Sequence, residues 1–269
     1  MRPIPLVTAA VAALTLAGTA HSAASFPEAG FIVFKEMRST SITEVRAHGS
    51  GAVVFTTPAS TNVADPTNPC ADPTFVFAGP RWKRFEEYEV NIASTPAYLH
   101  RSATLVDLVT AHEAWEKPFI TDCPRPRGRA KYEAEFGGVT NRTASLVATL
   151  TPDGVNAVAF QSLAGTVCDG AAACVVLAFE RKRILEADLA LEEDLTRYGF
   201  QDFWTTGDTT AFDQSGGTWA VIDAATHEFG HFAGLGHVDA SPALTMYPFV
   251  HDGAQTLGLG DMLGVVALY

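Results

Sequence analysis

The stretch that decides the fold is His227-Glu-Phe-Gly-His231-Phe-Ala-Gly234-Leu-Gly-His237. Two histidines four residues apart lie on one face of a helix, so both imidazole rings can reach one metal ion. A straight helix cannot present a third ligand six residues further on, but Gly234 can adopt the left-handed conformation that ends a helix. The pattern therefore predicts a metal site formed by His227, His231 and His237.

The residue types in this motif favour a catalytic zinc ion. Three neutral imidazoles suit Zn²⁺ and leave its fourth tetrahedral position open to water. Glu228 follows the first ligand, so its side chain points off the ligand face but stays beside the ion. Zinc lowers the pKa of bound water to about 7, and a nearby carboxylate can then act as the general base. We therefore predict that Glu228 activates a zinc-bound water that hydrolyses an amide.

Two further stretches carry a family resemblance. A methionine stands in Ala243-Leu-Thr-Met246-Tyr-Pro248, and the chain ends in Leu257-Gly-Leu-Gly-Asp261-Met-Leu-Gly264-Val-Val-Ala-Leu268-Tyr269. The zinc motif followed by a methionine turn resembles the metzincin zinc endopeptidases. Within that clan the chain is similar to the matrixins, the matrix-metalloproteinase-like family, and to their secreted bacterial members. It departs from their turn, Ala-Leu-Met-Tyr-Pro, by the additional Thr245, and the likeness covers roughly residues 80–269.

The resemblance implies an α+β, zincin-like fold with a twisted mixed sheet, a zinc-binding helix, a methionine turn and a C-terminal helix. Met246 would form a hydrophobic floor under the histidines without binding the metal. The strand near Cys174–Phe179 would be the sheet edge that pairs with an extended substrate.

Calcium ions could also bind, but no ligand-loop pattern in the sequence supports a calcium site. The acidic residues around Asp188 and Glu192 are interpreted as a solvated face. His112 begins a second His-Glu pair without a second histidine, and we expect it on a helix surface or half-buried. Asp239 could orient the ring of His237.

The N-terminus is typical of a secretory signal peptide. Arg2 is followed by an apolar run and by small residues that offer a cleavage site, so we expect residues 1–24 to be removed and the protein to be secreted. Residues 25–75 are an N-terminal extension or a propeptide, and the sequence does not separate the two. The predicted metallopeptidase domain spans residues 76–269.

An even number of cysteines in an exported chain predicts two disulfide bonds. Cys168 and Cys174 flank a short turn-capable loop and are expected to pair, which leaves Cys70 with Cys123. Two alternatives remain open. A cysteine zinc cluster has no Cys-x-x-Cys pair to support it. The thiolate of Cys70 could instead occupy the open zinc position, but Cys123 would then be unpaired.

Composition limits the classes of partner. The 269 residues carry 18 Lys+Arg and 30 Asp+Glu, a formal charge of −12, which argues against a nucleic-acid partner. No run beyond the N-terminus is long and apolar enough to span a bilayer, so no stable membrane insertion is expected. We expect a monomer that binds peptide or protein substrates.

The sequence also leaves two other functions open. The chain could be a zinc-holding binding or inhibitory module without turnover, although such a module would not need Glu228 beside the metal. It could also be a zinc hydrolase of a non-peptide amide or ester.

Overall fold

The structure is a computed structural model that describes residues 29–36, 45–48, 51–54, 67–83, 86–128, 131–146, 152–196, 199–207, 218–249 and 253–269. The predicted signal peptide lies outside the described residues. Within the described ranges, no helix is long and apolar enough to cross a membrane. The fold is α+β, with a mixed sheet and three α-helices, as predicted.

The described residues form twelve strands and three α-helices. Their bounds are β1 Ala29–Glu36, β2 Val45–His48, β3 Gly51–Val54, β4 Val76–Phe77, β5 Glu86–Asn91, α1 Arg101–Glu113, β6 Ala134–Val139, β7 Asn156–Gln161, β8 Ala173–Glu180, β9 Arg183–Glu192, β10 Trp204–Thr205, β11 Trp219–Ala220, α2 Val221–Phe232, β12 Leu235–Gly236 and α3 Leu259–Leu268.

Eight of these strands form one mixed sheet in the order β3-β2-β1-β8-β9-β7-β5-β6. The strands β9, β7, β5 and β6 run parallel, whereas β8 is antiparallel to β9 and β1 is antiparallel to β8. The strand β8 therefore has partners on both sides. The prediction that this strand forms the sheet edge is wrong, because β1 pairs with it along its whole length.

Two helices cover one face of the sheet. The strands β7, β8 and β9 are almost entirely buried, which fits their apolar, β-branched sequences. The helix α2 packs on β8, β9 and α1. The indole N–H of Trp115, just beyond the end of α1, donates a 2.8 Å hydrogen bond to the carbonyl of Thr226 in α2. This packing fixes the helix that carries the predicted metal ligands.

Buried carboxylates on β9 fasten loops on the other face of the sheet. Glu186, Asp188 and Glu192 accept hydrogen bonds from the backbone N–H groups of Gly154, Ser145 and Leu163, respectively. All three side chains are buried, so the prediction of a solvated acidic face around Asp188 is wrong. A buried carboxylate needs such partners because its desolvation is otherwise costly.

Both predicted disulfides are present, Cys70–Cys123 and Cys168–Cys174. The first joins the segment before β4 to the loop after α1, where the N–H of Leu259 also donates to the carbonyl of Pro69 at 2.7 Å. Residues 69–74 therefore pack against α3 rather than standing apart from the domain. Cys70 has no free thiolate, so it cannot occupy a metal site.

Removal of the two disulfides should have unequal effects on stability. The separations of 53 and 6 residues imply losses of about 4 and about 2 kcal/mol in the free energy of unfolding, since the longer loop restricts the unfolded chain more. Urea unfolding of a Cys70→Ala/Cys123→Ala variant and a Cys168→Ala/Cys174→Ala variant measures both. An equal or reversed order would contradict the prediction.

His112 is buried in the core, contrary to its expected place on a helix surface. Its ring lies 4.9 Å from that of Tyr88 and 5.1 Å from that of Phe229, and its Nε2 has no hydrogen-bond partner. Burial lowers the pKa of His112 to about 4. The residue serves the packing of α1, and among the described residues it belongs to no cluster of metal ligands.

This burial predicts a pH dependence of stability. Below its ordinary pKa of about 6.5, His112 takes up a proton more readily in the unfolded chain, so stability falls as the pH falls from 6.5 towards 4. His112→Phe suits the aromatic neighbours and cannot titrate. The free energy of unfolding of the variant minus that of wild type should be about 2 kcal/mol larger at pH 5 than at pH 7.5. Urea unfolding at both pH values tests this, and an unchanged difference would refute it.

Candidate metal centre

Two of the three predicted ligands lie on α2. His227 and His231 are one helical turn apart, and their Nε2 atoms approach to 3.0 Å. Both side chains are fully buried. The sequence spacing therefore produces the expected pair of imidazoles on one helix face.

Gly234 allows the chain to turn after α2, so that the third histidine reaches the other two. It has a φ of +99°, in the left-handed region that favours glycine, and its N–H donates to the carbonyl of His231 at 2.8 Å. A Cβ at this position would also lie 2.8 Å from the carbonyl oxygen of Pro80. The chain turns here and places Nε2 of His237 at 3.2 Å from that of His227 and 2.9 Å from that of His231.

The hydrogen bonds of the rings show that this triad fits a cation. Nδ1 of His227 lies 2.6 Å from the carbonyl of Thr245, and Nδ1 of His231 lies 2.9 Å from that of Leu235. A carbonyl oxygen only accepts, so both Nδ1 atoms carry the proton and the Nε2 atoms of the neutral rings present lone pairs. Burial lowers the pKa of His231 and of His237, which favours neutral rings.

Three converging lone pairs at about 3 Å repel one another unless a positive ion lies between them. Imidazole nitrogens are ligands that Zn²⁺ prefers, and three of them leave a further coordination position. Among the described residues, these three histidines are the one cluster of His, Cys, Asp or Glu side chains suited to a metal.

Glu228 is a buried carboxylate beside this cluster. It is fully buried, and neither of its oxygens has a hydrogen-bond partner. Desolvation raises the pKa of Glu228 well above its ordinary value. A buried carboxyl group without partners is costly, so its retention next to His227 indicates a chemical rather than a structural use.

Met246 lies directly under α2. Gly230 lies between His227 and His231 along the helix. The Sδ of Met246 fills the space that a Cβ on Gly230 would need. The carbonyl of Met246 accepts a 2.9 Å hydrogen bond from the N–H of Val238, next to His237. The methionine thus packs against the helix α2 at Gly230, and its backbone is joined to the segment that carries His237.

A comparison with protein families matches residues 158–269 to the model of the matrixins, family Peptidase_M10. Over this segment, which is less than half of the chain, the protein is similar to the matrixin zinc metallopeptidases. The matched segment begins in β7 and contains β8, β9, α2, the methionine turn and α3. A search of curated proteins finds no significant match.

The turn that contains Met246 is held by a residue to which sequence reasoning gave no role. Asp261, in the first turn of α3, accepts hydrogen bonds from the N–H groups of Thr245, Met246 and Gly258 at 2.9, 3.2 and 2.9 Å. Burial raises its pKa to about 6, against the effect of these donors. The carbonyl of Thr245 in turn orients His227, so α3 supports the metal ligands through two hydrogen bonds. The feature of the sequence that could have indicated this role is the aspartate in the C-terminal motif.

Asp239 does not orient His237. Its side chain is exposed, and Nδ1 of His237 has no hydrogen-bond partner. That prediction is wrong because the chain turns away from the imidazole immediately after Val238.

A second residue that sequence reasoning missed is Phe34. Its ring stacks on that of His231, with centroids 3.9 Å apart and planes 7° from parallel, and it meets His237 edge-on at 6.0 Å. Phe34 lies on β1, far from the matrixin motif in sequence, and no sequence pattern links the two. Only the pairing of β1 with β8 brings it to the metal ligands.

Proposed function

We propose that the chain is a secreted endopeptidase that hydrolyses internal peptide bonds of protein substrates, with Glu228 as general base. The observation that carries the proposal is the unpartnered, fully buried Glu228 next to three imidazoles whose Nε2 atoms converge. A protein that only held zinc would gain nothing from this costly carboxyl group.

In this proposal His227, His231 and His237 hold one zinc ion through Nε2. The zinc ion, when bound, supplies Lewis-acid activation of a water molecule and of the scissile carbonyl. Glu228 takes a proton from the attacking water as the new C–O bond forms, and returns it to the amine nitrogen as the C–N bond breaks.

Other observations support the remaining parts of the proposal. Two disulfides suit an oxidising compartment, which agrees with residues 1–24 as a removed signal peptide. The net charge of −12 disfavours nucleic acid and leaves peptides as the expected ligands. We assign residues 25–75 to an N-terminal segment and residues 76–269 to the peptidase domain, acting as a monomer.

The test is an incubation of the zinc-loaded chain with a diverse peptide pool, with products identified by mass spectrometry. Because the site is buried, the pool is offered both to intact chain and to chain nicked at an engineered site for an unrelated, sequence-specific protease between residues 55 and 66, after which that protease is blocked. We expect cuts inside peptides that stop when the zinc is removed by chelation. The control is the same treatment of a His231→Ala variant.

Two outcomes would overturn the proposal. Turnover of a small ester or non-peptide amide without any peptide cleavage would favour the other hydrolase. Stoichiometric zinc without turnover of any compound, in both forms of the chain, would favour the binding module.

A further inference from the structure

We propose that Tyr269 is a positioning residue for the third metal ligand, His237. Its phenol hydroxyl joins the backbone of Trp82 to that of Ala233 and thereby fixes the turn through which the chain leaves α2 and reaches His237. The inference rests on the part of the proposed function in which three histidines hold zinc. It goes beyond that function because it assigns the geometry of the site to a residue outside the zinc motif.

The first observation is the place of the third ligand relative to the other two. His227 and His231 lie inside α2, where the hydrogen bonds of the helix fix their spacing. His237 lies beyond the helix, after the turn at Gly234 and the short strand β12. Its Nε2 lies 3.2 and 2.9 Å from those of the helical pair, and these distances depend on the path of residues 233–236.

The second observation is that three successive backbone carbonyls at the end of α2 are held by donors from elsewhere in the chain. The last carbonyls of a helix have no partner within it. Here they accept hydrogen bonds from an indole N–H, a phenol O–H and a backbone N–H, in that order. The donor and acceptor residues are Trp82 and Phe232 at 2.8 Å, Tyr269 and Ala233 at 2.7 Å, and Ala78 and Gly234 at 2.8 Å.

The third observation is that the hydroxyl of Tyr269 connects three segments of the chain. It accepts a 3.1 Å hydrogen bond from the backbone N–H of Trp82, before β5, while it donates to the carbonyl of Ala233, after α2. Tyr269 itself directly follows α3. Burial raises the pKa of Tyr269, so the hydroxyl keeps the proton that it donates. Removal of this one oxygen would therefore leave two backbone groups without their partner.

The path from this contact to the metal ligand is short. Only residues 234–236 separate Ala233 from His237, and they form the turn and the strand β12. His227 is held differently, because its Nδ1 bonds to the carbonyl of Thr245. Loss of the hydroxyl should therefore displace His237 and leave the pair of histidines on α2 in place.

The experiment measures metal binding by the full chain and needs no hydrolysis. Tyr269→Phe removes the hydroxyl and keeps the ring. Tyr132→Phe is the matched control, because its ring lies 5.1 Å from that of Tyr269 and its buried hydroxyl has no hydrogen-bond partner among the described residues. Val176→Ala is a control for general destabilisation, since this residue of β8 is buried in the core on the other face of the sheet.

Two signals report on the site. Competition with a chromophoric chelator gives the zinc affinity, and the visible absorption of the Co²⁺-loaded chain reports the geometry of the ligands. We expect Tyr269→Phe to bind zinc about 10-fold more weakly than wild type, as is usual when a group that orients a metal ligand is lost. Its Co²⁺ bands should shift. Both controls should stay within about threefold of the wild-type affinity and keep the wild-type bands.

A double-mutant cycle tests whether the hydroxyl acts through His237. In a His237→Ala background, the two remaining imidazoles are both held within α2. Tyr269→Phe should therefore weaken zinc binding by less than about twofold in that background, against about 10-fold in the wild-type chain. A weaker chelator serves for the His237→Ala proteins.

Three results would overturn the inference. One is a Tyr269→Phe variant that keeps the wild-type zinc affinity and Co²⁺ bands. Another is equal weakening in the wild-type and His237→Ala backgrounds, because the hydroxyl would then support α2 as a whole. The third is equal weakening by Val176→Ala, because zinc loss would then follow global stability. The proposed function fails separately, if zinc binding follows the expected order but the wild-type chain cleaves no peptide.

Discussion

Glu228→Gln should reduce peptide hydrolysis by the nicked, zinc-loaded chain by about 10²–10⁴-fold, the usual contribution of a general base. The amide has the shape of the carboxyl group but cannot accept the proton of the attacking water. The zinc content should stay stoichiometric, because the histidine Nε2 atoms are unchanged. Stability should not fall, since the variant removes a buried carboxyl group that has no hydrogen-bond partner.

Rates of peptide cleavage and metal analysis of the same preparation test this prediction. The matched control is Glu193→Gln, which makes the same chemical change at an exposed position after β9 and should leave the rate unchanged. A Glu228→Gln variant that keeps more than about a tenth of the wild-type rate would show that another group acts as the base.

Asp261→Ala should destabilise the protein by at least about 3 kcal/mol, because three buried N–H groups lose their acceptor at once. The same change frees the turn at Thr245, whose carbonyl orients His227, so zinc affinity should fall as well. Asp261→Asn keeps one acceptor oxygen and should have a smaller effect. Urea unfolding and competition for zinc with a chromophoric chelator measure the two consequences.

Asp122 provides the control for this prediction. Its side chain is exposed in the loop after α1, and Asp122→Ala should change the unfolding free energy by no more than about 0.5 kcal/mol. If the Asp261→Ala variant is destabilised but binds zinc with unchanged affinity, Asp261 stabilises the fold without orienting His227. That result would contradict the prediction.

The sequence predicted the helices well, since each has strong local signals. The sequence pattern predicts the helix that carries the histidines over residues 218–233, and the helix spans Val221–Phe232. The sequence favours Ser102 as the cap of α1, but the helix begins at Arg101 with His100 as the capping residue. The Oγ of Ser102 interacts instead with Nδ1 of His100 at 2.9 Å. Such shifts of a residue or two are usual where competing polar groups lie at a helix end.

The burial of polar side chains was predicted poorly. Asp188 was predicted to be solvated and His112 to be at most half-buried, because charged and polar residues are mostly found at surfaces. Asp188 is buried because the N–H groups of Ser145, in a loop, and of Ala157, in β7, donate hydrogen bonds to its carboxylate. Those donors come from residues more than 30 positions away, and no local pattern in the sequence reports them.

The sequence by itself determined the convergence of His227, His231 and His237, the position of Glu228 in the same helix and the glycine that ends that helix. Helical spacing and a left-handed turn are local consequences of residue order. The tertiary structure alone decided that β1 covers β8, that Phe34 lies on His231 and that Asp261 holds the methionine turn. Each of these contacts joins segments far apart in the chain. Strand pairing and packing of the whole sheet bring them together, and the residues involved carry no periodic signal of their partners.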